Sequence, residues 1–323
     1  MWKTLVRRFI ILIPQLFALS MFVFILAEFM PGDPLMGLML DPDMPFERMQ
    51  ELRALHGLDD PWYQRYARWL GNVAQGYLGT STQFHLPVLD VVGLRIGNTM
   101  MLSIFSVILM YIVSVPLGVI AGRYNGTWKE KIISGYLYFG MALPGIIFGF
   151  ILIWLFGFII GWFPMSGTVN IEIVESGNAF AEFWSRVHHV VLPGAAISLF
   201  GSVGIVQYLR NDIVDARASD YVLTARSKGV PINVIYNKHI FRNSILPIAN
   251  GIGYAITGIF SGTIIIENLF GFNGMGRLFI NSIELRDFPV ITFLVLFYGV
   301  LNVIGGLISD IALTLFDPRI RIK

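Results

Sequence analysis

An all-α membrane protein with six transmembrane helices is the fold class this sequence predicts, on three observations. The chain is 55% hydrophobic and only 14% charged, whereas soluble globular domains carry roughly 25% charged residues. Six apolar runs, near 9–30, 99–122, 132–161, 190–209, 245–266 and 290–315, reach the roughly 20 residues that a helix needs to cross a bilayer core. Lysine and arginine are shared unevenly between the connecting segments, as in multi-span proteins.

The first run follows Arg7 and Arg8. It is too long for a signal-peptide core and lacks an A-x-A-type cleavage site, so a retained spanning helix is expected, with a twin-arginine export signal as the alternative. Residues 31–98 then form a loop of about 68 residues, longer than a plain connector. Pro45 to Leu55 and Pro61 to Leu70 are expected as short helices within it. In the second, Trp62, Tyr63, Tyr66 and Trp69 recur at helical spacing, an aromatic face suited to anchoring at the membrane boundary; contact with an external protein is the secondary reading. The run from Ile132 to Gly161 carries no charge and contains Leu143-Pro144-Gly145. A tilt or an ordinary proline kink is expected to absorb its excess length, a moving gate element being the alternative.

Orientation follows from the basic residues. With the N-terminus inside, segments 1–8, 123–131, 210–244 and 316–323 hold 15 of the 23 lysines and arginines. The opposite segments are longer in sum and hold the other 8. Both termini are therefore expected in the cytoplasm. The organisation is an N-terminus and first helix over 1–30, an extracytoplasmic loop over 31–98, a five-helix core over 99–315 containing a cytoplasmic loop at 210–247, and a cytoplasmic tail at 316–323.

That cytoplasmic loop is unusually patterned. Ser219 suits an N-cap, Asp220 a first helical turn, Arg226 and Lys228 a last turn, and Gly229 the left-handed position just beyond it. Pro231 forbids continuation. A helix from Asp220 to Lys228 is expected, roughly 14 Å long, with a second short helix from Asn233 to Phe241 completing an L-shaped arm. A helix this short is marginal alone. Tyr221, Val222 and Leu223 read as an exposed apolar surface, which points to a partner.

The arm resembles the cytoplasmic loop of inner-membrane subunits of binding-protein-dependent ATP-binding-cassette (ABC) importers, of the dipeptide, oligopeptide and nickel type. The matching residues are Asp220, Tyr221, Thr224, Ala225, Arg226, Lys228, Gly229, His239, Asn243, Leu246 and Pro247. Leu223 stands where the wider superfamily has Glu, a departure shared by peptide-type permeases. Five further motifs fall in family order: Pro31-Gly32-Asp33-Pro34, Gly76-Tyr77-Leu78-Gly79-Thr80-Ser81, Glu267-Asn268-Leu269-Phe270 with Gly274-Met275-Gly276, Arg286-Asp287-Phe288-Pro289, and Asp317-Pro318-Arg319. Asn273, Gln207 and Gly306 depart from residues common in the family.

The resemblance implies the type I ABC importer permease fold and a B-type subunit forming half of a peptide pathway in the bacterial cell membrane. Asp220, Tyr221, Thr224, Ala225, Arg226, Lys228 and Gly229 would couple it to an ATPase. Implied partners are a second related permease subunit, two nucleotide-binding ATPase subunits and an extracytoplasmic peptide-binding protein, besides membrane lipid. The chain has no G-x-x-x-x-G-K-[ST] phosphate loop, so ATP and Mg are expected on the ATPase subunits and no cofactor on this chain. A nickel permease of the same family is the alternative.

Ionisable residues within spans are functional candidates. Here they are Glu28, Glu267 and Asp310, each near a span end. Glu28 and Asp310 read as snorkelled or locally paired, whereas Glu267, which begins a matched motif, reads as an outer-pathway candidate alongside Asn302. No histidine pair has metalloprotease spacing and no catalytic or metal site is expected. An ion-coupled secondary transporter would carry inverted repeats with helices interrupted at the midplane, and no such repeat is visible. Net charge of +2 gives no basis for a nucleic-acid partner. Absence of cysteine excludes disulfides, thiolate metal sites and cysteine nucleophiles.

Overall fold

The computed structural model describes residues 2–29, 45, 48, 50, 51 and 59–316, with backbone alone at 2–9, 27, 28, 249, 250, 259, 261, 262, 310 and 312–316. The expected loop motif at 31–34, most of the helix expected over 45–55, and the tail from 317 onward with its Asp317-Pro318-Arg319 motif lie outside the described residues. Among the described residues the chain is nearly all helical, with one isolated β-bridge between Thr80 and Pro87.

The α-helical segments named among the described residues are, in chain order, α1 Trp2–Phe29, α2 Trp62–Ala74, α3 Val88–Arg123, α4 Trp128–Ala142, α5 Gly145–Leu152, α6 Ile171–Glu175, α7 Ala179–Ala216, α8 Asp220–Ser227, α9 Ile232–Val234, α10 Phe241–Ser244, α11 Leu246–Leu269, α12 Met275–Glu284 and α13 Phe288–Phe316. Wider π-helical turns extend α5 through Ile153–Ile159 and join α9 to α10 through Ile235–Ile240. The helices α3 and α7, with Gly251–Leu269 of α11 and Phe288–Ser309 of α13, are each long and apolar enough to cross a bilayer. Helices α4 and α5 make a fifth crossing only if taken together. In α1 the apolar stretch is Ile10–Leu26, about 26 Å at 1.5 Å per residue.

The chain divides into two compact units, Met1–Ile96 with Leu278–Leu301, and Gly97–Arg277 with Asn302–Lys323. In the first, α2 lies on α1. Tyr66 is buried, its hydroxyl 2.8 Å from Ser20 Oγ and its ring edge-on to Phe17 and Phe24. Trp69 also meets Phe24, while Trp62 and Tyr63 stay exposed. The aromatic face expected to anchor at the membrane boundary therefore splits, and its Tyr66 and Trp69 half packs within the protein.

Two sequence motifs meet in this unit. Asp287 is fully buried and accepts hydrogen bonds from Ser81 Oγ and from the backbone N–H groups of Thr82 and Gln83, at 3.2 and 3.3 Å. Gly79, at φ +92°, brings the loop so near α13 that a Cβ there would lie 3.2 Å from Pro289 Cβ. A buried carboxylate requires such donors, so the 76–81 and 286–289 motifs form one anchored turn.

In the second unit, α3 and α7 pack through glycines. A Cβ on Gly118 would come within 2.6 Å of Leu209 Cβ, and one on Gly122 within 2.7 Å of Ile213 Cβ. Small residues let membrane helices approach this closely. Glu130 at the start of α4 is held by Arg210 of α7 at 2.8 Å and by Ser134 Oγ at 2.6 Å.

Three helix extents differ from expectation. Helix α3 begins at Val88 rather than 99, and α7 spans 38 residues from Ala179 rather than 190, about 57 Å. Charged residues end an apolar run without ending a helix. Asn178 caps α7 by accepting from Phe180 N and Ala181 N, and Glu182 pairs with Arg186 four residues on, the helical spacing for such pairs. Third, the kink expected at Leu143-Pro144-Gly145 is a reorientation of 110° between α4 and α5. A residue before proline is driven out of the helical region; Leu143 takes φ −102°, ψ 132° and Pro144 φ −58°, ψ 139°. Two successive extended residues break the helix instead of bending it.

Candidate functional site: the arm after helix α7

Helix α8 ends where the sequence says it should. Lys228 closes it, Gly229 follows at φ +75°, Gly229 N donates to Arg226 O at 2.9 Å and Val230 N to Ala225 O at 3.1 Å. This pair of bonds is the Schellman arrangement, which favours glycine at its left-handed residue. A Cβ on Gly229 would meet nothing within 4 Å, so the requirement is backbone angle and not space. At the other end, Ser219 occupies the N-cap position but its hydroxyl donates to Ala216 O and makes no cap bond.

After Pro231 the second helix is longer than expected. It runs from Ile232 to Ser244 with π-helical turns in its middle. Val222 and Ala225 of α8, spaced i and i+3, are buried against Ile213 of α7 and Ile235, Tyr236 and Ile240 of the second helix. Val222 is 0% exposed, so the apolar surface expected of residues 221 to 223 reduces to Tyr221 and Leu223. Ala225, expected at the coupling surface, is a core residue. Asp220, Tyr221, Leu223, Thr224, Arg226, Lys228 and Gly229 are exposed. His239 and Asn243, one helical turn apart, are exposed as well. The arm thus has a dry inner side holding its two helices together and an outer side of mixed charge, hydroxyl and aromatic character.

The pathway candidates separate. Glu267 is fully buried. Its carboxylate accepts from Thr99 Oγ1 at 2.8 Å, Gly276 N at 2.7 Å and Arg277 N at 3.1 Å, while Met275 N donates to Thr99 Oγ1 at 2.8 Å. Helix N-termini present unpaired N–H groups and favour negative charge. Glu267 therefore caps α12 from the end of α11 and lies in the interior. Gly276 is needed there because a Cβ would fall 2.5 Å from Ile264 Cα. Asn302 is exposed on α13, whereas the side chains of Glu28 and Asp310 lie outside those described.

Among the described residues no group of three or more His, Asp or Glu side chains is placed to hold a metal. His188 Nε2 lies 2.8 Å from Trp162 O and His189 Nδ1 2.7 Å from Ser185 O. Both line a cavity of about 700 Å³ together with Trp162, Phe163 and Trp184. Sequence reasoning missed Thr99 and Arg123, the latter joining α3 to the arm through Asn233 and Tyr236.

Residues 114–322 match the family described as binding-protein-dependent transport system inner membrane component, and residues 1–103 match its N-terminal counterpart. The oligopeptide transport system permease protein AppB of Bacillus subtilis (strain 168) is 35% identical over 318 residues, 98% of each chain. The glutathione transport system permease protein GsiC of Escherichia coli (strain K12) is 29% identical over 323 residues, the whole of both chains. An inward-facing structure of the MetNI methionine ABC transporter superposes with a TM-score of 0.55, covering 71% of this chain and 97% of that one at 12% identity, a likeness of fold alone.

Proposed function

Since this chain belongs to the binding-protein-dependent inner-membrane permease family, with the type I ABC importer fold and a place in the bacterial cell membrane, we propose that it is a B-type peptide permease subunit. It forms half of a translocation pathway for oligopeptides or dipeptides. The observation that carries this is the 35% identity to an oligopeptide permease over nearly the whole of both chains. A second full-length relative is named for glutathione, itself a tripeptide. Nickel is not favoured as cargo.

In this reading the chain has six spanning helices and cytoplasmic termini, and it performs no chemistry of its own. Two ATPase subunits hydrolyse ATP, a related permease supplies the other half of the pathway, and an external binding protein delivers the peptide. Asp220, Tyr221, Thr224, Arg226 and Lys228 meet the ATPase; their exposure on one short helix supports this, because helix-in-groove docking needs an exposed face on a fixed support. Ala225 and Gly229 act from within, one packing the arm and the other turning it. Asn302 is the pathway candidate that remains, as an exposed amide on a spanning helix.

The test is uptake into proteoliposomes by the complete complex, with neutral, acidic and basic peptides of equal length set against nickel. Broad peptide uptake that vanishes without the second permease or the binding protein is expected. Nickel uptake without peptide uptake would overturn the proposal.

A further inference from the structure

The arm is fastened at two places of different character. To α7 it is joined by the apolar cluster of Ile213 with Val222, Ala225, Ile235, Tyr236 and Ile240. To α3 it is joined by Arg123, the last residue of that helix. The guanidinium of Arg123 donates to Asn233 Oδ1 and its carbon lies 5.2 Å from the ring centroid of Tyr236 and 5.5 Å from that of Tyr124. Val119, one turn earlier on α3, packs against the same cluster. The helices α3 and α7 are themselves closed on each other at Gly118 and Gly122, where no methyl group fits.

We propose that Arg123 is a positioning residue that fixes the angle of the arm on the α3 and α7 pair, so that arm and pair move as one lever. This rests on the coupling role proposed for the arm. Apolar burial is non-directional, so the cluster alone holds the arm near α7 and leaves it free to pivot. A second, directional bond at a different point removes that freedom. Arginine suits the task because its planar fork donates in its plane while its face lies on an aromatic ring, two contacts that a lysine ammonium cannot reproduce together. A cation at the last turn of α3 is favoured by the helix dipole as well. Without Arg123 the exposed side of α8 is unchanged and the ATPase still docks, but part of its stroke is spent in pivoting the arm.

The measurement is the number of ATP molecules hydrolysed per peptide imported by the reconstituted complex, with wild type, R123A, R123K, N233A and R123A/N233A compared and K131A as control. R123A and N233A should raise that number about fivefold or more, the lower end of a typical coupling free energy, while ATP hydrolysis persists. The double variant should be no worse than R123A, since both remove one bond. R123K should recover only a part, and K131A should match wild type. If R123A does not assemble, N233A decides alone, because Asn233 is exposed and its loss removes the same bond. An unchanged ratio, or uptake and hydrolysis falling in parallel, overturns the inference and leaves the importer reading standing. Failure of the wild-type complex to import any peptide would instead sink that reading.

Discussion

Replacing Gly229 separates backbone geometry from steric fit, because the structure supplies one without the other. The residue sits at φ +75° with open space where a side chain would go. The cost of a substitution is therefore that of the left-handed conformation, about 1–2 kcal/mol for an ordinary L-residue and more for a β-branched one. Helix α8 has eight residues and is marginal by itself. One to two kcal/mol shifts a folded-to-frayed ratio by roughly 5–30-fold, enough to leave the last turn of α8, with Arg226 and Lys228, unformed for much of the time. The expected order of peptide-stimulated ATP hydrolysis and uptake is wild type, then Gly229→Asn close behind, then Gly229→Ala, with Gly229→Val lowest. Asparagine tolerates the left-handed region far better than alanine or valine. Should asparagine prove as damaging as valine, side-chain obstruction by the docked ATPase would be the cause and the backbone argument would be wrong.

Arg226→Glu should leave yield and melting temperature unchanged, since the residue is exposed and such surface changes usually stay within about 0.5 kcal/mol, yet uncouple uptake from ATP hydrolysis; normal transport would remove Arg226 from the docking surface. Glu267→Leu should lower yield and thermal stability, at about 1–3 kcal/mol for each buried donor left unpaired, with Glu267→Gln milder because it keeps an acceptor. A Leu variant that folds normally but fails to transport would restore Glu267 to the pathway. Cysteines at exposed positions, Gln64→Cys and Lys238→Cys, in a chain that has none, should label from opposite sides of the membrane with an impermeant reagent. Labelling from the same side would refute the topology.

The arm was legible because its signals are local. Asp220, Gly229 and Pro231 mark a start, a turn and a stop within twelve residues, and the backbone follows them. Val222 was misjudged although the same stretch holds a hint: Val222 and Ala225, three residues apart, share a helical face, and both pack inward on the second helix. The reach of α3 and α7 was missed because apolar runs stop at charges such as Arg95 and Arg186, while helical hydrogen bonding does not. The break at Pro144 was visible as a residue, but its 110° angle depends on two consecutive extended conformations that the packing selects. The caps were beyond reach. Glu267 meets a backbone N–H nine residues away, and Asp287 meets Ser81 across 206 residues of sequence, distances over which a single sequence carries no pairing signal.

These long-range caps show what two of the family motifs outside the arm do. Glu267 with Gly274 and Gly276, and Asp287 with Gly79 and Ser81, each place a carboxylate in the dry interior and surround it with backbone and hydroxyl donors. In an interior of low dielectric such bonds are strong when complete and costly when broken. They therefore hold their loops in one arrangement. A device that transmits force needs such fixed corners, because any loop that yields absorbs the displacement. The arm is built differently: α8 carries exposed, chemically varied residues, and its buried face is sealed to α7 through Val222 and Ala225. On the proposed coupling role, the part this subunit plays is mechanical.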